Sequence, residues 1–152
     1  NHDPEIRALA DGDYPKSLDE GEQWLNEIQG DRYRKYYVII YDNQVIGDIE
    51  LDHIAWRSGE AELRIRIGKK TLWNQGLGSD AVETILKHAF LRLNLRRVYL
   101  RVYAHNKRAI RCYTKAGFSK EGRLNSRFGK IILMKITRSE YLADTPCQTS
   151  AV

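Results

Sequence analysis

The chain predicts a mixed α/β domain, a mostly antiparallel sheet with helices on both faces. Three observations carry that expectation. Glu60 to Ile67 alternates strictly, Ser79 to Leu93 repeats apolar residues at helical spacing, and a run of early strands precedes a strand–helix–strand–helix–strand order. A length of 152 residues suits one domain. Residues 1–142 are expected to form it. Residues 143–152 read as a flexible tail, because Asp144 to Ser150 has no apolar period.

In chain order, Glu5 to Leu9 reads as a short first strand. Ser17-Leu18-Asp19-Glu20 has the capping-box pattern, and it opens a helix with Leu18, Leu25 and Ile28 on one face. Tyr36 to Tyr41 and Gln44 to Ile54 are rich in β-branched and aromatic residues and flank Asp42-Asn43, which suits a two-residue hairpin turn. In the next strand Glu60, Glu62, Arg64 and Arg66 point one way, and Ala61, Leu63, Ile65 and Ile67 the other. Along Ser79 to Leu93, residues Ala81, Val82, Ile85, Leu86, Ala89, Phe90 and Leu93 make a broad apolar stripe. Arg97 to Tyr103 reads as a strand, Lys107 to Ala116 as a helix ended by Gly117, and Ile131 to Thr137 as the last strand.

Composition narrows the function classes. No apolar run approaches the roughly 20 residues of a membrane helix, and no signal peptide is visible at the start of the sequence. A cytoplasmic protein without a membrane partner is therefore expected. Cys112 and Cys147 cannot make a disulfide framework, and the four histidines have no metal-ligand spacing, so no metal is expected. The net charge of +5 invites a nucleic-acid reading, but the basic residues are dispersed, so nucleic acid is an unlikely partner.

Trp73-Asn74-Gln75-Gly76-Leu77-Gly78-Ser79 joins a strand to the strongest helix. Helix N-termini present unpaired N–H groups and partial positive charge, which suits phosphate, and glycine lets the backbone approach an anion. Geometry alone also explains two glycines in a tight turn. The dinucleotide fingerprint fails here, because no carboxylate closes the next strand, and a Walker-type loop is absent.

Downstream, Val102 to Phe118 contains Asn106-Lys107-Arg108-Ala109-Ile110 and Tyr113-Thr114-Lys115-Ala116-Gly117-Phe118. Together these resemble the Asn-x-x-Ala-Ile-x-x-Tyr-x-x-x-Gly-Phe signature of GNAT acetyltransferases, especially the branch of ribosomal-protein N-terminal and spermidine acetyltransferases. Glu121-Gly122-Arg123-Leu124 and Ile131 to Met134 continue that pattern, and the resemblance spans roughly residues 36 to 140. It implies the GNAT fold, whose sheet is splayed between its parallel central strands, and acetyl-CoA as cofactor. Trp73 stands where the family usually has Gln or Arg.

The resemblance further implies that Gln75, Gly76, Leu77, Gly78 and Ser79 cradle the pyrophosphate. Asn106 would hold the pantetheine arm or the adjacent helix start, and the strand backbone at Ile65 and Ile67 would bond the pantetheine. Tyr113 matches the family's general acid, a phenol of pKa about 10 placed to protonate a departing thiolate; packing alone also explains an aromatic there. Glu62 is the candidate base, with Glu60 its competitor, and a solvated face paired with Arg64 and Arg66 is the plainer account of both.

Adjacent helical residues differ by about a quarter turn, so Cys112 reads as a packing residue off the face of Tyr113. Direct acetyl transfer to a primary amine follows: a protein N-terminus, a polyamine or another small amine. Glu50, Asp52, Glu60 and Glu62 could line a polyamine pocket. Homodimers are common in the family. A non-catalytic CoA-binding sensor of the same fold is the alternative, and a basic RNA-binding protein a third. Two segments, Ala10 to Ser17 and Leu124 to Ile131, are short for the family.

Overall fold

The computed structural model describes residues 5–8, 31–68 and 76–143. The helix expected from Ser17, the loop residues Trp73 to Gln75, Cys147 and the C-terminal tail lie outside these.

Seven described strands form one sheet in the order β1-β2-β3-β4-β5-β7-β6. Strand β1 (Glu5–Ala8) pairs with β2 (Lys35–Tyr41), which turns into β3 (Gln44–Ala55) and then β4 (Glu60–Ile67). Asp42 and Asn43 sit at φ 52° and 59° in the β2–β3 turn, the left-handed pair that a two-residue hairpin demands and short polar side chains tolerate. Helix α1 (Leu77–Lys87) leads to β5 (Arg97–Tyr103), α2 (Lys107–Ala116), β6 (Ser119–Ser126), β7 (Gly129–Thr137) and a short α3 (Arg138–Ala143).

Every neighbouring pair is antiparallel except β4 and β5. Those two run parallel and pair only through Glu60↔Arg97, Ala61↔Val98 and Glu62↔Tyr99. Residues 63–67 of β4 and 100–103 of β5 continue unpaired with each other. The sheet therefore opens between its central strands, as the family resemblance implies.

One face of the sheet is apolar. Tyr37, Ile39, Ile49, Leu51, Leu63, Leu100, Met134 and Ile136 bury themselves there against Leu77, Val82, Ile85 and Leu86 of α1. Burying each large apolar side chain contributes about 1.5–3 kcal/mol, so this stripe anchors α1. The helix begins at Leu77, two residues before the alternating stripe suggests. After Lys87 it widens into a π-helical turn over His88–Arg92, with the Leu93 N–H donating to the His88 carbonyl at 3.0 Å. Helix α2 packs beside α1 on this same face and ends at Gly117, whose φ is 110°.

Two described elements escaped the sequence reading. Strand β6 is exposed along most of its length and has no apolar alternation, so only its ladder with β7 defines it. Arg127 and Phe128 form its tight turn into β7, so the short Leu124 to Ile131 segment is a hairpin that closes directly. Helix α3 is held by the Glu140 carboxylate, which accepts from the Thr137 N–H at 3.0 Å and from Lys135 Nζ at 2.9 Å.

Candidate active site

Two clefts meet where β4 and β5 part. The larger, about 520 Å³, is bounded by Ile65 to Ile67 of β4, by Gly76, Gly78 and Ser79 at the start of α1, and by one face of α2 from Asn106 to Lys115. The smaller, about 370 Å³, holds Glu62, Arg64, Arg101 and Tyr103. Ile65, Arg66 and Tyr113 line both. The two clefts thus adjoin at the splay and share Tyr113.

The large cleft is built for an anion. Gly76, at φ 78°, caps α1 without a side chain, a conformation that costs a residue with a Cβ about 1–2 kcal/mol. The first N–H groups of α1 then face the cleft with no intrahelical acceptors. Among the described residues its lining includes Arg66, Arg108, Arg111 and Lys115 and no carboxylate. Leu77 is not among the lining residues, and its side chain is buried in the core. Gln75 lies outside the described residues.

Asn106 takes the second of its two expected roles. Its Oδ1 accepts from the Ala109 N–H at 3.2 Å, capping α2, while the residue also lines the cleft. Ile65 and Ile67 pair with β3 on one side and border the cleft on the other.

Tyr113 is fixed by an edge contact with Phe118, whose ring centroid lies 5.9 Å away. Burial pushes its phenol up to about 12; the neighbouring Cys112 thiol adds to this and Arg108 opposes it. The hydroxyl therefore keeps its proton throughout the neutral range. Cys112 corrects the helical-face argument: it lines the same cleft as Tyr113, because the cleft wraps around α2 by more than a quarter turn. It also packs on the core, with Sγ 3.4 Å from Ser79 Oγ.

Glu62 is not a solvated strand residue: it is 3% exposed. Arg101 Nε donates to Oε2 at 2.9 Å, and Arg64 Nη2 donates to Oε1 at 3.4 Å. Glu60, on the same side of β4, lies outside both clefts and pairs with Arg97 at 2.9 Å. The anticipated carboxylate pocket is correspondingly changed. Glu50 is buried beneath Arg34, 2.5 Å away, and Asp52 faces Arg64 at 3.5 Å, so Glu62 alone of the four acids lines a cleft. Arg101 was missed because an alternating strand gives no reason to single out one exposed arginine.

Among the described residues no cluster of His, Cys, Asp or Glu could hold a metal, and no helix is long and apolar enough to cross a membrane. The family described as acetyltransferase (GNAT) domain matches residues 1–119. The chain is 34% identical over 127 residues to spermidine N(1)-acetyltransferase of Escherichia coli strain K12, covering 78% of this chain and 68% of that protein. It is 31% identical over 134 residues to the Vibrio cholerae serotype O1 spermidine N(1)-acetyltransferase, covering 84% and 77%. The crystal structure of a Vibrio cholerae spermidine N-acetyltransferase in complex with CoA and spermine superposes with a TM-score of 0.77 at 26% identity, covering 91% of this chain and 98% of that one.

Proposed function

The chain belongs to the GNAT acetyltransferase family and is an acetyl-CoA-dependent N-acetyltransferase, and from that premise we propose that it acetylates a polyamine by direct transfer across the β4–β5 opening. The observation that carries this reading is the meeting of the two clefts at Tyr113. Acetyl-CoA supplies an acetyl thioester. The large cleft, which no described carboxylate lines, the N-terminus of α1 and the cations of α2 fit its phosphates, with Gly76, Gly78 and Ser79 as the residues that hold the pyrophosphate.

Glu62 acts as the base. Its buried carboxylate lines the acceptor cleft, and each oxygen has more than one lone pair, so it takes an ammonium proton directly or through a water while Arg101 holds it. Tyr113 acts as the acid, its proton retained by burial until a thiolate needs it. Both line the smaller cleft, and Tyr113 lines the larger as well, so a covalent relay through Cys112 is unnecessary.

The relatives' activity supports a polyamine, and so does a buried carboxylate in the acceptor cleft. An ammonium entering there competes with Arg64 and Arg101 for Glu62. A second reading rests on those same cations: Arg64 and Arg101 both pair with Glu62 in the cleft that Arg66 also lines, which suits an amine that also bears an anionic group. Mass spectrometry of products from spermidine, a peptide N-terminus and an amino-sugar phosphate separates them. Acetylspermidine as the main product supports the polyamine. Turnover of the phosphorylated amine alone overturns it.

A further inference from the structure

Helix α2 carries four cations, Lys107, Arg108, Arg111 and Lys115, and no carboxylate. At 100° per residue, Arg108, Arg111 and Lys115 fall within about 60° of one another, a single stripe, and Lys107, one turn before Arg111, flanks that stripe about 40° from Arg111. The three striped residues all line the large cleft and Lys107 does not. Neither Arg111 nor Lys115 has an ion-pair partner among the described residues. Both are exposed.

This charge exceeds what a pyrophosphate needs. The pyrophosphate has backbone N–H groups at the start of α1, across the cleft. The stripe on α2 runs seven residues, about 10 Å, so its far end reaches beyond the phosphates that the α1 N-terminus can bind. Arg111 and Lys115, about one turn apart and without an ion-pair partner among the described residues, would repel each other, and an added anion relieves that repulsion.

We infer that Arg111 and Lys115 form a second anion subsite that reads the 3′-phosphate of the cofactor and makes the enzyme discriminate between CoA and 3′-dephospho-CoA. Arg108 joins the stripe at its N-terminal end and bridges the two subsites. The inference rests on acetyl-CoA binding in the large cleft, and it assigns to side chains of α2 a task separate from the backbone contacts of the loop.

Isothermal titration of the purified chain with CoA and with 3′-dephospho-CoA tests it without reference to turnover. CoA is expected to bind at least tenfold more tightly at low salt, with the ratio shrinking as salt rises. Arg111→Ala with Lys115→Ala is expected to weaken CoA at least tenfold and leave dephospho-CoA within about twofold. Lys107→Ala, outside the cleft lining, is expected to leave both unchanged. Equal affinity of the unaltered chain for the two ligands overturns the subsite while the cofactor assignment stands. Failure to bind either ligand would instead remove the cofactor assignment. If the double variant unfolds, Arg111→Gln and Lys115→Gln singly carry the same comparison, and an undiminished ratio in both overturns the proposal.

Discussion

Arg101 grips Glu62 across the last paired residues of two parallel strands, with Nε 2.9 Å from Oε2 and Nη2 3.3 Å from Oε1. The β4–β5 ladder ends at Glu62↔Tyr99, so the ion pair sits at the point where the strands part. It ties the edge of the opening to the carboxylate proposed as base.

Glu62→Gln preserves shape and removes the charge. The turnover number is expected to fall about 10²-fold or more, the scale of a lost general base, while affinity for acetyl-CoA stays within about twofold. Glu60→Gln, outside both clefts, is expected to leave turnover within a few-fold. Steady-state kinetics with thiol detection separates the two carboxylates, and equal losses would refute the assignment to Glu62.

Tyr113→Phe is expected to lower turnover about 10²-fold with little change in cofactor affinity. In the unaltered enzyme, any alkaline limb set by this phenol belongs near 12 rather than 10. Activity is therefore expected to stay level through pH 9 to 10. A loss centred near 10 that Tyr113→Phe abolishes would contradict the burial-raised phenol, and one that Tyr113→Phe retains would belong to another group.

Stability has a matching alkaline signature. Burial raises Tyr36, Tyr37 and Tyr113 each to about 12 from an ordinary 10.0. Between those values the folded chain binds more protons than the unfolded one, so stability is fully present below pH 10 and is lost as pH rises toward 12. Urea midpoints across that window are expected to fall, and less steeply in Tyr113→Phe.

Asn106→Ala removes the cap of α2. A loss of about 1 kcal/mol is expected, a drop of about 2–4 °C in the melting temperature for a domain this size. Since α2 also carries Tyr113, turnover is expected to fall modestly as well. An unchanged melting temperature would show that the Asn106–Ala109 contact contributes nothing.

Much of this was legible in the residues. Glu60 to Ile67 and Lys107 to Ala116 declare themselves by period and by Gly117, and the signature residues Asn106 and Tyr113 both line the larger cleft. Strand β6 did not, because an exposed edge strand needs no apolar pattern and is defined by its partner. The clamp on Glu62 was hidden for a related reason. Arg101 and Glu62 are 39 residues apart, and nothing local marks either as the other's partner. The burial of Glu62 also ran against the expectation of a solvated face, because alternation tells which face a residue is on and not what covers it.

The most direct test of the central claim is thiol release from acetyl-CoA, measured with and without spermidine and paired with the mass of the intact protein. Direct transfer across the opening predicts release only when amine is present, one acetylated amine per thiol, and no acetyl group left on the chain. Thiol release without amine, with acetyl retained on Cys112, would contradict the direct route. Tight acetyl-CoA binding without release over a broad panel of amines would contradict catalysis altogether.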